Sequence, residues 1–430
     1  MFDLVVRGGT IDGVPTDIAV VDGLIAELGT DLPGGREELD ARGLLILPGA
    51  IDAHVHLNDP GRADWEGIPT GTRALAAGGT TTAVDMPLNA SPPTLDAASF
   101  ERKRVAIEGR AHVDLALWGG LTRGPLDRLD ELAACGVVGF KAFMCASGIA
   151  DFARVDDDQL GEGMRRAHKL ARPVAVHAED DELTARLTQE ARARGASSAR
   201  EWLATRPIEA ELDAISRALA LAEETGCALH VVHVSCGSGI ALVAEARARG
   251  LDVTCETCPH YLLFDETDLG RVGALLKCAP PLRPPNERDA LIAALGAVDT
   301  VGSDHSPAPA SMKESDDFFA IWGGISGAQS LLAAVLDVAP SEAARLTAAN
   351  PATRLGLTQK GRLEPGADAD LVLVTAEPTR LNAAELHDRH RHNPYVGRTF
   401  GHRIARTILR GQTSWDGERF GSPTGRLIRR

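Results

Sequence analysis

The chain has little positive charge for its size: 45 Lys and Arg stand against 60 Asp and Glu over 430 residues, a formal net charge of −15. No Lys/Arg block interrupts that acidic balance, so a nucleic-acid backbone finds no track to follow and nucleic acid is not expected as a partner. Aromatic residues are scarce at 4%. No uncharged apolar run reaches the roughly 18 residues that a membrane span needs, so no membrane partner is expected either. The opening MFDLVVRGGTIDG has Asp3 where a secretory leader carries its basic region, which predicts a cytoplasmic protein. Seven cysteines, odd in number and dispersed, predict reduced thiols rather than a disulfide framework. No Walker loop, dinucleotide-binding glycine fingerprint or nucleophile elbow occurs between a strand and a helix, which removes nucleotide cofactors and serine-hydrolase chemistry. Low-complexity tracts and fixed-period repeats are absent too. What remains is a globular chain, 44% apolar, long enough for one barrel of about 250 residues and an accessory module.

From about residue 44 to 310, short β-branched runs alternate with amphipathic segments of helical period. Eight runs can be counted: LLILPGAIDAHVH (44–56), TTTAVDM (80–86), HVDLALWGG (112–120), VVGFKAFM (137–144), PVAVHAE (173–179), ALHVVHVS (228–235), DVTCETCPHYLL (252–263) and TVGSDHS (300–306). Eight strands with intervening helices predict an α/β protein built on a (β/α)8 TIM barrel. Near the N-terminus, FDLVVRGGTIDG, DIAVVDGLIAELG and ELDARG read as antiparallel strands, and KGRLEPGADADLVLV and RTFGHRIARTILRGQTSWD near the other end have the same character. Both termini are therefore expected to build one small β-sandwich, residues 1–50 and 360–430, beside a barrel over 51–359. Residues 312–356 read as further helix.

Active sites of such barrels lie at the carboxyl ends of the strands, so polar residues there carry the information. His54 and His56 are two apart, which on a strand sends both side chains to one side. Lys141 closes the fourth run, His177 the fifth, His233 the sixth and Asp304 the eighth. Any one of these has an ordinary packing explanation; their shared placement does not. Four imidazoles and a carboxylate make a ligand set for two divalent cations of the zinc type. An ammonium within about 4 Å of a cation is repelled, which leaves three states for Lys141: turned away, deprotonated, or converted by carbon dioxide to a bridging carbamate.

Several segments carry a resemblance. PGAIDAHVHLNDPGRADWEGIPTGTRALAAGGTTTAVDMPLN, GVVGFKAF, HVVHVS, DVTCETCPHYL, KCAPPLR, VGSDHSP, WGGISGAQS, ADADLVLV and NPYVGRTFGHRI, in that order, resemble the cyclic amidohydrolase branch of the amidohydrolase superfamily, and within it the allantoinases. The resemblance spans nearly the whole chain. It implies hydrolysis of the ring amide of (S)-allantoin, a homo-oligomer (a tetramer), and His54, His56, Lys141, His177, His233 and Asp304 as metal ligands, with Lys141 carboxylated to N6-carboxylysine. Two divalent ions, zinc first and cobalt, manganese, nickel or iron as alternatives, would lower the pKa of a water and polarise the ring carbonyl. Asp304 would be the catalytic base and then acid. Arg62, Asn89, Ser306, Cys278 and the Trp322-Gly323-Gly324 segment are carried over as substrate contacts.

Three departures shape the substrate reading. Dihydroorotases place an Arg at the position of Asn58, and a neutral amide cannot clamp a carboxylate. Hydantoinases place a Tyr shortly after the bridging Lys, where this chain reads AFMCASG and offers only Ser147 as a donor. Ala279 replaces a Ser found in many allantoinases. A hydantoinase or dihydropyrimidinase acting on a related ureide is the rival enzyme, and a silent dihydropyrimidinase-like scaffold the rival from another class. Cys255 and Cys258 lie in an expected strand, where residues three apart face opposite sides, so no zinc ribbon is expected. His260 is a candidate for the substrate side, and His387, His390 and His392 read as a solvated loop.

Overall fold

A computed structural model describes all residues 1–430. Eight parallel strands run in chain order around a barrel: Ala50–Val55, Thr80–Asp85, Asp114–Gly120, Gly139–Phe143, Val174–His177, Leu229–Val231, Val253–Thr257 and Thr300–Val301. Closure comes just past the strand ends, where Val55 bridges His305 in the parallel sense and the His56 amide donates to the His305 carbonyl at 2.8 Å. The first three strands are buried at every position, as expected when helices cover a parallel sheet on one side and packed side chains fill it on the other. Local chemistry sets the helix limits. Asp156 caps Asp157–Lys169 by accepting from the Gln159 amide while Gln159 reaches back to the cap amide, and Gly226 ends Ile208–Thr225 in the left-handed conformation.

Eight of the remaining strands form one sheet drawn from both ends of the chain, and Thr379–Arg380 and Thr399–Phe400 pair apart from it. Its main path runs Gln412–Trp415, Arg403–Leu409, Leu371–Thr375, Leu45–Pro48, Phe2–Ile11, Val14–Val21 and Leu24–Gly29. Gly35–Asp40 pairs with the first half of Phe2–Ile11, so that strand has three partners and the sheet divides at its irregularity between Val6 and Gly9. The fold class read from the sequence stands: a TIM barrel with a β-rich unit of both termini.

Three local expectations need correction. The run 44–56 is two strands in two sheets, parted at Gly49, where a Cβ would lie 2.2 Å from the Thr81 hydroxyl oxygen. Gly35–Asp40, read as antiparallel, pairs in parallel with Phe2–Ile11. Residues 312–330 are not a helix but a loop with short 3-10 turns, because Gly323, Gly324 and Gly327 interrupt the apolar run; continuous helix begins at Leu331.

Lys360 joins the two units. Its ammonium is buried and donates to Asp114 at 2.7 Å and Asp370 at 2.8 Å, with Asp368 also 2.8 Å away, while Arg410 pairs with Asp114 from the other side. Asp114 begins the third barrel strand and Asp370 precedes the sheet strand Leu371–Thr375. Lys360→Met leaves three carboxylates buried with one cation fewer and is expected to destabilise the protein by about 3–5 kcal/mol, read as a lower denaturant midpoint.

Candidate metal centre and substrate cavity

Alternation along the first barrel strand brings the His54 and His56 rings to 5.5 Å apart at its carboxyl end. Asp304, across the closing seam, puts Oδ1 3.2 Å from His54 Nε2 and 3.4 Å from His56 Nε2. From the neighbouring strands, His177 Nδ1 lies 3.1 Å from His233 Nε2, and the His233 ring lies 5.3 Å from His54. These five side chains make one continuous array of nitrogen and oxygen donors. Burial holds His54 and His233 below the ordinary histidine range, so both rings are neutral, the form that ligates a metal. Burial alone would raise the Asp304 carboxyl; His54 and His56 outweigh it and hold Asp304 well below the usual carboxylate range.

Lys141 completes the array from beneath. Its side chain is fully buried, its Nζ has no hydrogen-bond partner, and it sits 4.6 Å over the Phe143 ring. Burial pushes this amine down to about 7, against the pull of Asp304 and Glu256. An unpartnered amine of that kind, near enough to His54, His233 and Asp304 to interact with them, fits a site for divalent cations bridged through a modified lysine. Backbone strain marks the same place: His233 and Asp304 have φ of +42° and +47°, in the left-handed region, at a cost of order 1–3 kcal/mol each.

Carboxylates outside the ligand set orient the rings. Glu256, fully buried, holds His54 Nδ1 at 2.8 Å and so turns Nε2 toward Asp304. Burial alone would raise Glu256, but His54 and His230 bring it down to about 2. Glu179 holds His177 Nε2 at 2.8 Å, leaving Nδ1 to face His233. The sequence reading missed both; HAE places Glu179 two residues after His177, the same spacing that singled out His54 and His56.

The amidohydrolase family model matches residues 45–413. The chain belongs to the amidohydrolase family. Members of this family are metal-dependent, in keeping with the donor array. It is 55% identical to an allantoinase of Rubrobacter xylanophilus, covering 100% of this chain and 98% of that one. Identity to an allantoinase of Deinococcus radiodurans is 51%, over 99% and 98% of the two chains. Among solved structures, the L-hydantoinase (dihydropyrimidinase) of Arthrobacter aurescens matches with a TM-score of 0.97 at 31% identity, covering 100% of both chains.

In this amidohydrolase a cavity of about 700 Å³ opens over the array. His54, His56, His177, His233 and Asp304 line it, as do Asn89, Ser147, Ser306 and Gly323 from the expected substrate contacts. Asn89 Nδ2 and Ser306 Oγ are 3.4 Å apart. Arg62 and Cys278 do not line it. Arg62 props the wall from behind, donating to the Asn89 carbonyl at 2.7 Å, and Cys278 is buried between Lys277 and Ala279, which do reach the cavity. The Ser147 hydroxyl donates to the Phe152 carbonyl at 2.6 Å, which occupies its one proton. Asn58 faces the Pro307 carbonyl at 3.4 Å, so no carboxylate clamp stands in its place.

The loop that interrupts the expected helix forms one wall, from Met312 to Gly324. Two lysines hold it without a carboxylate partner. Lys277 Nζ donates to the carbonyls of Phe318 and Ile321 at 2.7 and 2.5 Å, and Lys313 Nζ to those of Trp322 and Gly324 at 2.9 and 2.6 Å. Gly324 has to be glycine, since a Cβ there would lie 2.3 Å from the Ser306 carbonyl oxygen. The remaining candidate, His260, packs rather than lining the cavity, fully buried against Tyr261, and His387, read as part of a solvated loop, lies half-buried against Trp415 and Phe420. His390 is no free loop residue either, since its Nε2 lies 2.9 Å from the Asp64 carbonyl.

Proposed function

We propose that this amidohydrolase hydrolyses the ring amide of (S)-allantoin to allantoate. The observation that carries the reading is the intact donor array in one cavity of a chain 51–55% identical, over nearly its whole length, to allantoinases. His54, His56, His177, His233, Asp304 and Lys141 as its carbamate would hold two divalent cations, zinc first. Such a pair supplies a water acidic enough to attack near neutral pH and an electrophile for the ring carbonyl. Asp304 Oδ1, between the two imidazoles of the first strand, accepts the proton of the attacking water and returns it to the departing ring nitrogen. Glu256 and Glu179 keep the ligating nitrogens aimed. Asn89 and Ser306 offer side-chain hydrogen bonds to the ring, and Gly323 backbone groups.

The same reading makes the chain a cytoplasmic homotetramer, with 1–50 and 360–430 as one β-domain and 51–359 as the barrel. The 0.97 TM-score to an L-hydantoinase favours a second reading, in which the substrate is another cyclic ureide. A panel of allantoin, hydantoin, dihydrouracil and dihydroorotate, assayed on metal-replete protein, separates them. Allantoin is expected to have the highest kcat/KM. Faster turnover of hydantoin or dihydrouracil overturns the assignment, and no turnover of any of the four returns the chain to a scaffold.

A further inference from the structure

One cation in the cavity has no partner. Arg206, between the helices Ala199–Leu203 and Ile208–Thr225, lines the cavity, and its Nε is buried without a hydrogen bond. Arg206 is half-buried, and of the five N–H donors of its guanidinium the one on Nε is cut off from water, where leaving it unpaired is unfavourable. Its charge lies over an aromatic ring instead: Arg206 Cζ is 5.2 Å from the centroid of the buried Trp202 ring. The Arg206 carbonyl accepts from Arg283 Nη1 at 2.6 Å, which anchors the connector from below. The group is thus held against Trp202 without being satisfied.

None of the charged groups around it pairs with Arg206. Glu179 Oε2 holds His177 at 2.8 Å while its buried Oε1 has no partner and makes no ion pair with Arg206, and Lys277, 5.0 Å from the Trp202 centroid, donates to backbone carbonyls. Arg206 is therefore free for a ligand. Thr188 and Gln189, from the helix Asp181–Ala193, line the same cavity and offer oxygens that can accept from N–H groups. A planar group with one strong carbonyl acceptor and adjacent N–H donors matches this arrangement, which is the chemistry of a urea.

We propose that Arg206 is a specificity residue that binds the carbonyl oxygen of the ureido substituent, with Gln189 and Thr188 accepting from its N–H groups. The assignment rests on allantoin being the substrate. It adds a subsite for the part of that molecule which does not react and which plain hydantoin lacks.

The experiment compares wild type, Arg206→Met and Arg206→Lys, all metal-replete, on allantoin, with hydantoin offered both as substrate and as competitive inhibitor of allantoin turnover. Arg206→Met is expected to lower kcat/KM for allantoin about 10- to 100-fold, mainly through KM, the loss appropriate to a charge-assisted hydrogen bond. The inhibition constant and any turnover of hydantoin should stay within about twofold, because the ring contacts are untouched, and Arg206→Lys should recover part of the loss. An unchanged KM for allantoin overturns the proposal, as does an equal loss for both compounds, which would mark a merely structural role. Wild type that turns over hydantoin but not allantoin overturns the substrate assignment itself, and this subsite with it.

Discussion

Asp304→Asn is expected to lower kcat by about 10²- to 10⁴-fold while leaving KM for allantoin nearly unchanged. The substitution is chosen so that little else moves. Asn has nearly the same shape and keeps one oxygen for a cation, and it tolerates the left-handed backbone at φ +47° that Asp304 adopts. What it removes is the anionic oxygen that stands 3.2 and 3.4 Å from the His54 and His56 rings. The neighbouring imidazoles hold the Asp304 carboxyl ionised despite its burial, so at neutral pH it is a proton acceptor, and the amide is not. Metal content, measured by elemental analysis of the same samples, separates loss of the base from loss of the site. Near-normal metal content with activity within tenfold of wild type would move the proton transfer to another group.

Much of this site was legible in the sequence, for a definable reason. Barrel strands end at one rim, so a polar residue at the end of each apolar run projects toward a common space: His54, His56, His177, His233 and Asp304 line one cavity as that rule requires, and Lys141 lies buried near enough to act on His54 and His233. Of the residues that orient them, Glu179 carried a signal in its spacing from His177, and Glu256 carried none. Glu256 sits mid-strand in CETC, where nothing in the local pattern tells a buried carboxylate from an ordinary one; only the fold brings it to His54 across 202 positions. Arg206 belongs to no strand end, and its meaning comes from Trp202 and the cavity beside it. Gly49 hid a boundary inside an apolar run because both adjoining strands are apolar, and hydrophobic pattern does not record a change of sheet. Gly323, Gly324 and Gly327 outweighed an apolar run that otherwise reads as helix, since each removes side-chain packing and adds backbone freedom. Arg62 and Cys278 show the limit of carrying contacts by position alone: both lie next to the wall, and neither faces the cavity.

Lys141→Ala is expected to remove at least about 10³-fold of the activity and to lower bound metal from two ions per chain to one or none. The argument begins with burial. A charged ammonium at this position would be fully desolvated with no acceptor for any of its three protons, so the amine is pushed down to about 7 and a large fraction is neutral under physiological conditions. A neutral primary amine can attack carbon dioxide: an N–C bond forms, one N–H proton leaves to solvent, and the product carries one negative charge over two oxygens. That charge is what the site lacks, since imidazole ligands bring no negative charge and one carboxylate balances only a quarter of the charge of two dications. Alanine leaves a cavity the size of the lost chain and no anion. Acetate or propionate added to the variant can enter that space and place two oxygens where a carbamate would stand, so partial, saturable recovery of both metal content and turnover is expected. Lys141→Met, which fills the space without an anion, should lose activity equally and show no recovery. Carbon-13-labelled bicarbonate supplied to wild type should give a carbamate carbonyl resonance that is absent from both variants. Full activity in untreated Lys141→Ala would mean that the cations are held together without this residue, and the bridge would have to be sought among His177, His233 and Asp304 alone.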